Sequence, residues 1–278
     1  MRTEFLTIFW RDMVKFFRSK AMLFTALVQP ALWLALFGIS MSSNFDLITP
    51  VSPNQLGVPS VNYLTFMAAG VISMTVLFTC LYSGISLQFD KQFGLMKEIV
   101  ASPLPRSHIL LGLSLSGVAK SLIQSAIIVL FGFILGVRFF EGFTIEQTLL
   151  SLLGITLFIV LFALGLLFLS STVALMLETH ESLQGAITLL SLPLFFASNA
   201  LYPTASLPLA IQIVSFGNPL SYFITGMRYF SLGPNFYSVG TYYAYGAYDV
   251  LTACVFLLLF DIIMFLLALR AIKKTKVV

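Results

Sequence analysis

What this sequence has least of is charge. Only 9% of its 278 residues are Asp, Glu, Lys or Arg, against roughly 25% in a soluble domain, too few to coat a water-facing surface. Cysteine is as scarce. Cys80 and Cys254 both sit inside apolar runs, which excludes a disulfide scaffold and makes both read as small core residues. No Gly-x-x-x-x-Gly-Lys-Ser/Thr loop occurs, so the usual cradle for ATP phosphates is missing. No His/Cys/Glu cluster has metal-ligand spacing; Glu178, His180 and Glu181 stand together in what reads as a solvated turn. His108 lies beside Arg106 with no nucleophile and base around it, which argues against a membrane-embedded hydrolase.

What is present is apolar. The chain is 59% hydrophobic, with 28 Phe and 10 Met. Its mean hydropathy is +0.99. A spanning helix takes about 20 apolar residues, so six would leave only short connections and no room for a sizeable soluble domain. The pattern predicts an all-α integral membrane protein with six transmembrane helices, at 21–41, 62–87, 109–137, 148–175, 183–201 and 250–271. Residues 1–20 precede them as an amphipathic helix lying in the membrane interface, and 21–278 form one transmembrane domain. Phe5, Leu6, Phe9, Trp10, Met13 and Phe17 form the apolar stripe, with Arg2, Glu4, Arg11, Asp12, Lys15 and Arg18 on the other positions.

The cations set orientation. With both termini on one side, that side collects Arg2, Arg11, Lys15, Arg18, Lys20, Lys91, Lys97, Arg106, Arg270, Lys273, Lys274 and Lys276. The other side holds Arg138 and Arg228, and Lys120 falls within a span. Positive-inside bias then puts both termini in the cytoplasm. The basic balance is a topology signal, and no nucleic-acid partner follows from it. Between spans five and six, segment 202–235 is apolar but broken by Pro203, Pro208, Pro219 and Pro234. Its two short apolar runs suit re-entrant half-helices turning at Gly217-Asn218-Pro219, an arrangement tolerated at membrane depth only inside protein or beside water. Tyr237, Tyr242, Tyr243, Tyr245 and Tyr248 suit an aromatic belt at the outer interface.

The cytoplasmic linker 90–106 carries a short amphipathic pattern (Leu95, Met96, Ile99, Val100) ended by Pro103 and Pro105. From the residues alone it is either a surface-lying connection or a rigid docking knob for a partner. The run Gly94-Leu95-Met96-Lys97-Glu98, continued by Ser102-Pro103-Leu104-Pro105-Arg106, resembles the linker after the second span in permease subunits of the ABC-2 type, the membrane partners of ABC ATPases. A second run, Leu201-Tyr202-Pro203, Leu207-Pro208, Asn218-Pro219-Leu220-Ser221-Tyr222 and Arg228, resembles that family's external segment. The match is to the drug-resistance-like branch and covers nearly the whole chain.

The resemblance implies an exporter whose two permease chains pair as a homodimer in the membrane lipid of a prokaryotic cytoplasmic membrane. Each would dock one of two ABC ATPase subunits, which bind the ATP and Mg; no cofactor belongs to this chain, and it is not itself an enzyme. Gly94, Leu95, Met96, Lys97, Glu98, Ile99, Ser102, Pro103, Pro105 and Arg106 would form the coupling segment. Met67, Met74, Phe78, Phe195, Phe196 and Asn199 would line the substrate path, an adaptable apolar lining for hydrophobic or amphipathic compounds. Pro208, Asn218 and Pro219 would form an external gate. Two competing functions are export of a lipid-linked glycan or polysaccharide, and ATP-independent transport. For the latter, intramembrane ionisable groups in inverted repeats are expected, and only Lys120 and Asp261 qualify. Each lies about 18–21 Å along its helix from the cytoplasmic charges, so a structural ion pair between the third and sixth spans is expected, with a proton or substrate relay as the functional alternative.

Overall fold

Local sequence places several helix starts. The computed structural model describes residues 4–46, 58–95, 105–203 and 208–274, and in these, four helices open on a side chain that accepts an orphan first-turn N–H. Asn62 accepts from Thr65, Thr144 from Gln147, Thr179 from Ser182, and Asn218 from Leu220. Gln147 also reaches back to the Thr144 N–H, closing a capping box. Pro219 sits at the start of its helix, where its missing N–H is no loss.

Helix α1 spans Glu4–Arg18 and α2 spans Lys20–Leu32. Pro30 cannot donate within α2 and crowds the preceding turn. Just beyond it the backbone widens into a π-helical turn, Trp33–Gly38, before α3, Ile39–Asp46. Then come α4 (Tyr63–Gln92), α5 (Arg106–Ile134), α6 (Ile145–Met176) and α7 (His180–Phe196). Two shorter helices follow, α8 (Leu209–Phe216) and α9 (Pro219–Leu232). A hairpin of β1 (Asn235–Ser238) and β2 (Thr241–Ala244) leads to α10 (Ala247–Lys274).

Among the described residues, five stretches are long and apolar enough to cross a membrane: Ala26–Phe45, α4, α5, α6 and α10. The expected span at 183–201 meets a helix of 17 residues, α7, that stops at Phe196. Its continuation is irregular because side chains of α9 take over its carbonyls: Asn218 Nδ2 donates to Leu194 O at 2.7 Å, and Arg228 Nη2 to Asn199 O at 2.7 Å. The two half-helices of 202–235 are present as α8 and α9 with Gly217 and Asn218 between them.

The chain is not wholly helical. β1 and β2 pair antiparallel with Phe236 opposite Tyr243, across Val239 and Gly240, both at positive φ. Such a turn suits the twist of a two-residue hairpin, but a Val there carries no sequence signal for it. The hairpin draws Phe236 and Tyr243 together, ring centroids 5.0 Å apart, and leaves Tyr242 and Tyr248 exposed. Only part of the tyrosine cluster is therefore available to an interfacial belt.

Helix α4 is the axis of the fold. It packs against α5, α6, α7 and α9, and every residue from 63 to 77 is buried. Gly70 explains one close approach: a Cβ there would lie 2.2 Å from the Ala200 carbonyl oxygen, so only glycine lets the end of the α7 segment reach α4.

Candidate functional site

A recess opens where α4 stops being surrounded. From Phe78 onward one face of α4 (Phe78, Thr79, Tyr82, Ser83, Ile85, Ser86) is half-buried, and Phe89 is exposed. That face, with α1, α2 and α5, encloses a cavity of about 510 Å³. Its walls are aromatic and aliphatic, from Phe16, Pro30, Phe78, Tyr82, Ile85 and Phe89, and one end is polar, with Asp12, Lys15 and Lys120.

Three elements meet at the polar end. Lys120 Nζ, on α5, is paired with the Asp12 carboxylate of α1, which also accepts from Ser116 and Ser86. The same ammonium stands 5.6 Å from the Phe16 ring centre. Asp90, at the end of α4, accepts from Arg11 at 2.5 Å and Lys15 at 2.9 Å. Helix α1 is thus fastened to α5 by one ion pair and to α4 by two. Burial raises the Asp12 pKa, but Lys120, the Ser116 hydroxyl and Lys15 outweigh it, and the carboxyl ends below its ordinary value.

This arrangement corrects two sequence expectations. Lys120 does not pair with Asp261; its partner is Asp12. Asp261 lies against α6 so closely that a Cβ on Gly165 would be 2.5 Å from its Oδ1, and no ion pair among the described residues includes it. Depth along the helices allowed the pairing, but α5 and α10 share few contacts while α1 lies along α5. Second, the buried row of α1 is Ile8, Asp12, Met13 and Phe16, while Leu6, Trp10 and Phe17 face outward. The acidic residue assigned to the polar face belongs to the buried one. Its spacing of four from Ile8 and from Phe16 was the signal available in the sequence.

The expected path residues separate. Phe78 lines the cavity. Met67 is 0% exposed and packs toward Gly38 in the first long run; Met74 is buried beside it in the same core. Neither faces an open path, because α4 is enclosed there. Phe195 is buried edge-on to Trp33 at 6.0 Å, whereas Phe196 is exposed. The Asn199 backbone oxygen serves Arg228. Of the expected gate residues, Pro208 is exposed at the start of α8, and Asn218 and Pro219 are buried at the start of α9.

Of the expected coupling residues, Met96, Lys97, Glu98, Ile99, Ser102 and Pro103 lie outside the described residues. Gly94 has φ 79 at the turn after α4, and Leu95 is exposed. Pro105 precedes α5. Arg106 is engaged elsewhere: its Nη1 donates to Ile272 O at 2.8 Å and Lys273 O at 3.1 Å, capping α10. Lys91 treats α6 likewise, donating to Leu175 O and Leu177 O. Both cations sit where helix C-termini concentrate negative partial charge. His180 stacks on Phe89 at 4.9 Å, and among the described residues no His/Cys/Asp/Glu group could hold a metal ion.

A second cluster lies at the opposite end of α4. Arg228 is 0% exposed, with its guanidinium carbon 3.6 Å from the Phe66 ring centre and 5.9 Å from that of Tyr243. Its Nη2 serves the Asn199 and Ala200 carbonyls. Burial pushes the phenols of Tyr243 and Tyr245 up, with Arg228 opposing. Counted in the sequence as one external charge, Arg228 is a buried clamp joining α9, α4 and the end of α7.

Comparisons with known proteins converge on one family. The family model described as ABC-2 type transporter matches residues 3–232. A protein of Cyanophora paradoxa named as a transport permease, ycf38, is 30% identical over 274 residues, 98% of this chain and 89% of its own. The daunorubicin resistance ABC transporter permease protein DrrB1 of Streptomyces coeruleorubidus is 25% identical, over 84% of this chain and 77% of its own. The inner membrane transport permease YadH of Escherichia coli K12 is 27% identical, over 71% and 74%.

Proposed function

The chain belongs to the ABC-2 type transporter family, and on that basis we propose that it is the membrane subunit of an ATP-driven exporter for hydrophobic or amphipathic compounds. The motor is a separate ABC ATPase, two copies serving a homodimer of this chain in the cytoplasmic membrane of a prokaryote. The name of DrrB1 supports the drug-like or lipid-like solute class. Six spans and cytoplasmic termini complete the reading, with α7 and the irregular segment after it serving as the fifth crossing.

One observation carries the mechanism: α1 is fastened to α5 and α4 by the Asp12–Lys120 and Asp90 ion pairs beside the cavity. A push on α1 or on the adjoining linker therefore moves two cavity walls together, because rigid helices transmit displacement through packed, paired contacts. Closure of the ATPases on ATP would supply that push. Arg228 clamps the far end of α4, where residues 63–77 are buried, so the cavity lies toward the α1 end of that helix.

The test is co-expression with the cognate ATPase and reconstitution into vesicles. Glu98→Arg is the informative change, since Arg106→Glu would also uncap α10. Loss of co-purification and of ATP-driven export in Glu98→Arg is expected. Full retention of both would refute docking through 90–106, and failure of the unaltered chain to recruit any ABC ATPase would refute the exporter reading.

A further inference from the structure

The polar end of the cavity is unbalanced in hydrogen-bonding capacity. Both oxygens of each carboxylate are engaged: Asp12 by Ser86, Ser116 and Lys120, Asp90 by Arg11 and Lys15. The ammonium groups are not used up. Each carries three N–H donors, and among the described residues Lys120 Nζ gives one to Asp12 and Lys15 Nζ one to Asp90. Both lysines line the cavity, whereas Asp90 and Arg11 do not. Formal charges in the cluster, three cations against two carboxylates, leave one positive charge. A cationic head group would meet only carboxylate oxygens that already accept a hydrogen bond, and would face two ammonium groups.

The remaining walls select the body of the ligand. Phe16, Phe78, Tyr82 and Phe89 offer apolar faces, and a volume of about 510 Å³ is in the range of small-molecule sites. We propose that this cavity binds one acidic amphiphile, its anionic head on Lys15 and Lys120 and its apolar body among the four aromatic rings. The proposal rests on the reading of the chain as a permease for amphipathic compounds and narrows that class to acids.

The test uses the full chain in phosphatidylcholine nanodiscs without ATPase, with radiolabelled lysophosphatidic acid as probe. One saturable site per chain is expected, displaced by unlabelled oleate and at least about tenfold less well by oleylamine, the cation of the same length. Glycerol 3-phosphate, the head alone, should not displace it. Lys15→Gln, which leaves Arg11 on Asp90, should weaken binding about tenfold, and Ser83→Trp, which fills the cavity from a half-buried position, should abolish it. Gel filtration and thermal unfolding establish that each variant is folded. Displacement when phosphatidylglycerol is included in the disc would identify the occupant as a resident lipid of the same head chemistry; its absence would point to a transported compound. Equal displacement by oleylamine, competition by glycerol 3-phosphate, or binding unaffected in both folded variants would overturn the proposal. A chain that recruits the ATPase but binds no acid sinks only this inference; one that binds acid but recruits no ATPase sinks only the exporter reading.

Discussion

Asp12 concentrates the residue-scale physics. It is 2% exposed and shares its carboxylate among Lys120, Ser116 and Ser86. Removing one member of a buried pair strands the other charge, at a cost of about 3–5 kcal/mol, while replacing both by apolar groups is often neutral. Asp12→Asn is therefore expected to lower the unfolding midpoint strongly in detergent, and Asp12→Leu with Lys120→Met to recover most of it. Equal damage in both would refute the pairing. The pH dependence follows from the lowered pKa. A depressed carboxyl contributes stability that is present above its unfolded value, about 3.9, and is lost as pH falls through the folded value. Attachment of α1 should thus hold at pH 5–8 and fail only in acid below about pH 4, read by protease protection of 4–18. Arg228 makes a different demand. Its planar group stacks on Phe66 at 3.6 Å while serving two carbonyls, and an ammonium cannot do both. Arg228→Lys should destabilise nearly as much as Arg228→Leu; full stability in Arg228→Lys would show that charge alone matters there.

At the scale of elements, the informative contacts are those that end helices. Helix α7 stops at Phe196 because α9 supplies Asn218 and Arg228 to its carbonyls, and Gly70 lets that end close on α4. Gly70→Ala places a methyl 2.2 Å from a backbone oxygen, which cannot swing aside. Overpacking of this kind costs roughly 1–3 kcal/mol. A fall in thermal stability is expected, with faster hydrogen exchange confined to 197–203 and the start of α9. Unchanged exchange there would mean that the approach of the two segments is not needed. Boundaries fixed by caps were legible in the sequence, since Asn62, Thr144, Thr179 and Asn218 bond within their own first turns. The end of α7 was not, because its bonding partners lie 24 and 29 residues away.

For the whole molecule, the number of crossings decides the arrangement of the ends. Six crossings put α1 and the end of α10 on one side with the β1–β2 hairpin opposite; five would separate the termini. With both native cysteines changed to serine, Arg18→Cys and Lys274→Cys should react with an impermeant maleimide from the cytoplasmic side, and Tyr242→Cys from the outside. Reaction of Arg18→Cys and Lys274→Cys from opposite sides would rule out α7 and its continuation as a crossing.

Scarce charge and long apolar runs determined the class of this protein, because a chain at 9% charge cannot face water over its surface. The two short motif runs were enough to indicate the family, and the caps fixed where four of the helices begin. Tertiary structure alone decided which buried charges meet. Lys120 and Asp261 lie at comparable distances along their helices from the basic ends, yet α1 lies along α5 and brings Asp12 to Lys120. Low charge by itself only excludes a soluble fold. In the folded chain, three cations and two carboxylates gather at and beside the polar end of one cavity, since burying one member of an ion pair alone is costly, and helix packing decides which charges meet.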